Sequence, residues 1–237
     1  TFQNEPKSLY RNAGRGLFTY ASYVAGIGDA TKKRLAFGVC FADFDNDGHS
    51  DLLFANGHVQ DTILRIHPPI TYAQTMQLFR NQGNGLFADI SAQAGPAFEK
   101  PIVGRAVAIG DYDNDGKMDA LVVDAEGAPL LLHNESPARS HWLGVRVVSR
   151  TGNRDALGAR LTLELPGGKR VAESQTCRSY LAACDPRLLF GLGAETKVTG
   201  LTVRWPSGRR QTFGPLAPDR YYLLREGEAP VPDPDLP

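Results

Sequence analysis

Asp43-Phe44-Asp45-Asn46-Asp47-Gly48-His49-Ser50-Asp51 recurs 68 positions later as Asp111-Tyr112-Asp113-Asn114-Asp115-Gly116-Lys117-Met118-Asp119. In each nonapeptide the carboxylates at positions 1, 3 and 5 can converge on one side of a tight loop. Gly at position 6 permits the sharp turn, position 7 offers its carbonyl, and position 9 adds another carboxylate. Such an all-oxygen set suits a hard cation, and the several flexible ligands favour Ca²⁺ over Mg²⁺. Four carboxylates this close repel one another without a counter-ion. Two Ca²⁺ sites are expected: Asp43, Asp45, Asp47 and Asp51 with the His49 carbonyl, and Asp111, Asp113, Asp115 and Asp119 with the Lys117 carbonyl.

The bland alternative is an acidic surface turn, since Asp, Asn and Gly favour turns whatever they bind. Recurrence of the full pattern in register weighs against it. An EF-hand is excluded on paper, because its position 12 needs a bidentate Glu and those positions here are Phe54 and Val122. Strand-forming residues replace the exiting helix.

A second motif repeats in the same order. Leu9-Tyr10-Arg11-Asn12-Ala13-Gly14-Arg15-Gly16-Leu17-Phe18 returns as Leu78-Phe79-Arg80-Asn81-Gln82-Gly83-Asn84-Gly85-Leu86-Phe87, an offset of 69. Its glycines supply positive-φ positions for a hairpin. Two motifs at nearly one offset define an internal repeat of β units, which suggests propeller blades. A partial third copy, Leu131-Leu132-His133-Asn134, stops at its Asn, and the first unit carries about 15 extra residues near 58–72.

On these loops and hairpins, residues 1–134 resemble the FG-GAP/VCBS calcium-binding repeats of integrin-like β-propellers. A ring usually needs four to eight blades, and this stretch supplies two to three. The resemblance therefore implies further blades before Thr1, and the absence of an initiator Met and of a signal pattern reads as a fragment or processed product.

The second half has a different texture. Leu143, Val145 and Val147, then Leu161, Leu163 and Leu165, then Leu201, Val203 and Trp205 alternate with period two, the mark of half-buried strands. Turn signals fall at Pro166-Gly167-Gly168 and Pro206-Ser207-Gly208. The expectation is an all-β chain: a partial propeller over 1–137, a compact antiparallel β-sandwich or barrel over 138–226, and a Pro-rich tail over 227–237 that reads as a linker or disordered end.

Five blocks of this half resemble, in order, the ASPIC/UnbV domain of the cartilage acidic protein family and its bacterial relatives. They are His141-Trp142-Leu143, Asn153-Arg154-Asp155-Ala156-Leu157-Gly158-Ala159, Asp185-Pro186-Arg187, Phe190-Gly191-Leu192-Gly193 and Trp205-Pro206-Ser207-Gly208. In the bacterial relatives the preceding propeller also tends to carry an Asn-Gly-His insertion, as Asn56-Gly57-His58 does here. Asn153, Gly158 and Trp205 read as loop-shaping and strand-ending residues. Arg154, Arg187, Arg204, Arg209 and Arg210 read as a solvated face, with an anion or glycan surface as the sharper alternative.

The formal net charge is zero, which argues against a generic nucleic-acid binder. It is a cancellation: residues 1–137 carry −5 and residues 138–237 carry +5, and eight of the 16 acidic side chains of the first part lie in the two loops. No apolar run is long enough for a transmembrane helix. Three cysteines are too few for a disulfide scaffold; Cys40 reads as a buried thiol, and Cys177 and Cys184 are a pair that spacing alone does not join. No His-Glu-x-x-His, Gly-x-Ser-x-Gly or P-loop motif occurs. His58 and His67 with Asp61 lack a spacing specific for zinc and read as incidental.

The leading expectation is a non-catalytic, calcium-binding adhesion or interaction module. It would be the C-terminal part of a larger protein that is secreted, periplasmic or displayed at the cell surface, with a protein or glycan as ligand. The rival is a carbohydrate-active or other enzyme with its site on propeller loops or in the 58–72 insertion, since one fold hosts both functions. A structural cap on the last blade is the third reading.

Overall fold

A computed structural model describes residues 4–137 and 140–236. The chain is nearly all β, with 42% strand and 6% helix, in several sheets of which none closes into a barrel. β1 (Tyr10–Gly14) and β2 (Leu17–Tyr20) form a two-stranded hairpin whose residues are all exposed. A helical turn, α1 (Gly28–Thr31), follows. β3 (Ala36–Ala42), β4 (Asp51–Asn56), β5 (Gln77–Asn81) and β6 (Phe87–Asp89) then make a four-stranded antiparallel meander in chain order. β7 (Gly104–Gly110), β8 (Asp119–Asp124) and β9 (Leu130–Leu132) repeat its first three strands. The sequence repeat is thus one complete blade, three strands of the next, and, in β1–β2, the counterpart of the β5–β6 hairpin.

Adjacent blades pack through their first strands. Gly38 of β3 lies so close to β7 that a Cβ would sit 2.8 Å from the Arg105 carbonyl oxygen. Behind them Leu53, Ala55, Met76, Val107, Ile109 and Val122 form one buried apolar cluster. The insertion between β4 and β5, which includes the short helix α2 (Ile63–Ile66), is anchored by buried Asn56 and His58. The Asn56 amide donates to the Thr75 carbonyl (2.9 Å), and Arg105 of β7 donates to the carbonyls of Gly57 (3.2 Å) and His58 (3.0 Å). Asn-Gly-His is therefore a splice between blades.

The second domain contains β10 (His141–Val148), β11 (Arg160–Leu165), β12 (Gly168–Glu173), β13 (Leu188–Gly193), β14 (Gly200–Arg204), β15 (Arg210–Phe213), β16 (Tyr221–Arg225) and β17 (Val231–Pro232). Two four-stranded sheets, ordered β13-β10-β16-β17 and β12-β11-β14-β15, enclose a core that includes Leu143, Val145, Leu161, Leu163, Leu201 and Trp205. Each such side chain contributes roughly 1.5–3 kcal/mol on full burial, so the period-two residues are the ones that hold the sandwich shut. One pair departs from the expected antiparallel pattern: β10 and β16 run parallel, Val145 opposite Tyr222.

The tail is not a free linker. Val231 pairs with Leu223, and Asp233, buried, accepts a 2.7 Å bond from Arg146. Proline is tolerated because β17 is an edge strand, where a missing N–H leaves no ladder bond unmade. Four of the five arginines expected on a solvated face are exposed, but Arg187 turns inward. Cys40 and Cys184 are buried in the same blade cluster, with the Cys40 thiol pushed up to about 12 by burial, while Cys177 is exposed; none of the three is disulfide-bonded.

The sandwich docks directly on the blades. Asp185 N–H donates to the Ile109 carbonyl (3.0 Å), Val39 N–H to Ser179 Oγ (3.2 Å), and the rings of Phe37 and Tyr180 meet at 5.0 Å. Both acidic loops lie at this junction.

Candidate metal centre

The two loops connect β3 to β4 and β7 to β8. Their turns use positive φ at Asn46 (57°) and Gly48 (88°), and at Asn114 (64°) and Gly116 (84°). Asn and Gly tolerate this region best, and for that reason they recur at these positions.

Each turn folds its own N–H groups onto its first carboxylate. Asp43 Oδ1 accepts from Asp47 N (3.1 Å) and Oδ2 from Gly48 N (2.8 Å); Asp111 accepts from Asp115 N (3.1 Å) and Gly116 N (2.8 Å) in the same way. The last carboxylate is held both from within the loop and from the next hairpin. Asp51 accepts from Phe44 N (3.1 Å) and Asn81 N (2.8 Å), Asp119 from Tyr112 N (3.2 Å) and Asn134 N (2.7 Å).

One oxygen each from Asp43, Asp45 and Asp51, and one each from Asp111, Asp113 and Asp119, lie within 4.8 Å of one another. Six of the eight expected carboxylates thus come together as two matching triads. Asp47 and Asp115 are not members of these two triads; they accept from the N–H groups of His49 (2.8 Å) and Lys117 (2.9 Å), which places those two residues at the turn exits. The Lys117 ammonium also pairs with Asp115 at 2.8 Å. Asp113 and Asp115 form a further group with His133, whose Nε2 lies 3.1 Å from Asp113 Oδ2. His58, His67 and Asp61 form no such group among the described residues.

Burial and mutual crowding both disfavour charge on these carboxylates. Burial first, then the charges of Asp47, Asp45 and Asp51, push the Asp43 carboxyl up to about 7; burial does the same to Asp51. Asp45, Asp111 and Asp119 are raised in the same direction, again mainly by burial. A divalent cation among these oxygens removes both the repulsion and the need for protons, so the donor set fits a hard cation.

The loops touch each other and the second domain. Asn46 Nδ2 donates to the Gly116 carbonyl at 2.8 Å, and Gly193 N–H to the Asn46 carbonyl at 2.8 Å. Gly191 lies against Asp43, where a Cβ would strike the carboxylate, and the Trp142 ring covers Gly116 as closely. Tyr221 donates its hydroxyl to Asp111 Oδ2 at 2.6 Å, and Arg187 donates to the Asp111 carbonyl at 2.5 Å and to Asn114 Oδ1. Beside them a cleft of about 380 Å³ is lined by Asp45, Asp115, Lys117, His141, Trp142 and Asp219.

Tyr221, Arg187 and His133 are not among the metal-site residues expected from sequence, where Arg187 is read instead as part of an arginine face and His133 as part of the partial repeat. Asn81 and Asn134 have a signal there: both are the Asn that ends a repeated Leu-Phe-Arg-Asn or Leu-Leu-His-Asn.

A family model described as FG-GAP-like repeat matches residues 63–122, and one described as ASPIC and UnbV matches residues 149–231. The first span contains the second acidic loop and leaves out the first. Cartilage acidic protein 1 of Homo sapiens is 25% identical over 87% of this chain, and that of Mus musculus is also 25% identical over 87%. The Xenopus tropicalis protein of the same name is 23% identical over the same share. The chain spans 38–39% of the length of these curated relatives. It carries an FG-GAP-like repeat followed by an ASPIC and UnbV domain, and over most of its length it is homologous to cartilage acidic protein 1.

Proposed function

We propose that this chain is a calcium-stabilised, non-catalytic interaction module that works outside the cell. The observation that carries the reading is the pair of matching carboxylate triads joined through Asn46 and Gly116 at the domain junction. Asp43, Asp45 and Asp51 would hold one ion, and Asp111, Asp113 and Asp119 the other. Calcium supplies charge and ligand geometry there, holding each β-to-β turn rigid. Sites of this type work at roughly 10⁻⁴ to 10⁻³ M, which matches the millimolar calcium outside cells.

Support for an extracellular place comes from the similarity to cartilage acidic protein 1; no helix among the described residues is long and apolar enough to cross a membrane. The FG-GAP-like repeat favours a protein partner over a glycan. The cleft lined by Trp142, His141 and Lys117 beside both loops offers that partner a surface whose shape depends on the loaded turns.

Differential scanning calorimetry with calcium alone tests the structural role. Two millimolar calcium is expected to raise the melting temperature by several degrees over excess EDTA, since a ligand that binds only the folded state stabilises it by mass action. An unchanged melting temperature would sink the reading.

A further inference from the structure

We propose that Tyr221 links cation binding at the second acidic loop to docking of the C-terminal domain, so that each strengthens the other. The inference rests on the reading of the loops as calcium sites and adds to it a residue from another domain. Its basis is an asymmetry between two loops that the sequence makes alike. In the first loop Asp43 accepts, among the described residues, only N–H groups of its own turn, and Gly191 occupies the neighbouring space without a side chain. In the second loop the equivalent carboxylate, Asp111, also accepts the Tyr221 hydroxyl at 2.6 Å, across 110 residues of chain.

That hydroxyl is aimed by its surroundings. Tyr221 is 1% exposed, its ring meets Trp142 at 5.1 Å, and its face lies over Gly144, where any side chain would collide with it. The Arg187 guanidinium stacks 5.1 Å from the same ring and reaches the Asp111 carbonyl and Asn114 Oδ1. Asp185, 2.6 Å from Arg187, offsets its charge, so the pair orients the loop with little net field against a cation.

A carboxylate fixed by a buried hydroxyl is pre-organised for an ion. An ion that fixes the carboxylate in turn presents a rigid acceptor to Tyr221. Coupling of this kind is reciprocal: whatever factor docking adds to calcium affinity, calcium adds to docking. Tyr221 is therefore a positioning residue for the second site and has no such part in the first.

The test uses calcium alone with the whole chain. Asp45→Asn leaves a protein reporting on the second loop, and Asp113→Asn one reporting on the first. Adding Tyr221→Phe is expected to weaken calcium binding about tenfold in the Asp45→Asn background, the scale of one charge-assisted hydrogen bond, and less than twofold in the Asp113→Asn background. Hydrogen exchange on the unaltered chain gives an independent reading, which stands even if Tyr221→Phe fails to fold. Calcium is expected to slow exchange in β13 and β16, far from the ion in sequence. Equal calcium affinity with and without the hydroxyl, equal losses at both loops, or calcium protection confined to the blades would each overturn the linkage. A wild-type chain that binds no calcium overturns the calcium reading itself, and the linkage with it.

Discussion

Asn46 Nδ2 donates to the carbonyl of Gly116 at 2.8 Å, a bond that joins the turn of one acidic loop to the turn of the other across 70 residues. Asn46 has φ 57° and is 6% exposed. Asn46→Gly keeps the backbone conformation accessible and removes the side chain that makes the bond. Losing one buried hydrogen bond is expected to cost about 1–2 kcal/mol. Chemical denaturation in calcium measures it, and a loss below about 0.3 kcal/mol would mean that the loops are held independently.

Asp45 sits in a triad where burial and Asp47 disfavour its charge. Asp45→Asn is expected to leave the metal-free protein as stable as before or slightly more so, because it removes repulsion. The calcium-induced rise in melting temperature should shrink at the same time. A mutant that melts lower in EDTA and keeps the full calcium response contradicts this assignment.

Lys7 is 5% exposed, donates to the Arg34 carbonyl, and has its ammonium pushed down to about 8, first by burial and then by the Arg34 charge. Its folded-state value lies below the ordinary 10.5, so between pH 8 and 10.5 the unfolded chain binds more protons than the folded one, and stability rises with pH. The contribution is roughly 3 kcal/mol at most. Comparing Lys7→Met with wild type isolates it: the wild type should gain stability relative to the variant over that window. Parallel curves would refute the assignment.

Asp233 is buried and paired with Arg146, which also reaches Asp235 at 2.7 Å. Asp233→Ala leaves the guanidinium with exposed Asp235 alone and undoes the seat of β17, at an expected cost on the order of 2 kcal/mol. Urea denaturation would detect it. No change would return the tail to the status of an untethered end.

The acidic loops are legible in sequence because their chemistry is local: Asn46 and Gly48 must take positive φ, and carboxylates two residues apart meet over the turn. The partial repeat that stops at Asn134 has its reason in structure. Asn134 N–H holds Asp119 at 2.7 Å and its side chain holds the Met118 carbonyl, so a copy ending at Asn still completes the loop of its own blade. Tyr221 and Arg187 are hidden for the opposite reason. They stand 110 and 76 residues from Asp111, and a period-two pattern marks a Tyr as inward or outward without saying which domain its hydroxyl meets. The parallel β10–β16 pair is equally silent, since alternation is the same in either direction. In the tail, proline content speaks against order, yet an edge strand such as β17 tolerates it.

The parallel pairing of β10 with β16 also sets an order of events during synthesis. β10 cannot gain its β16 neighbour until the ribosome has made everything between them. The same late strand carries Tyr221, so the second acidic loop must wait through 110 residues of translation before its partner exists. The first two strands of each blade pair locally and can form early. A nascent chain therefore passes through a stage in which paired blade strands already display two anionic turns, and the second of them meets its hydroxyl partner only when β16 has been made.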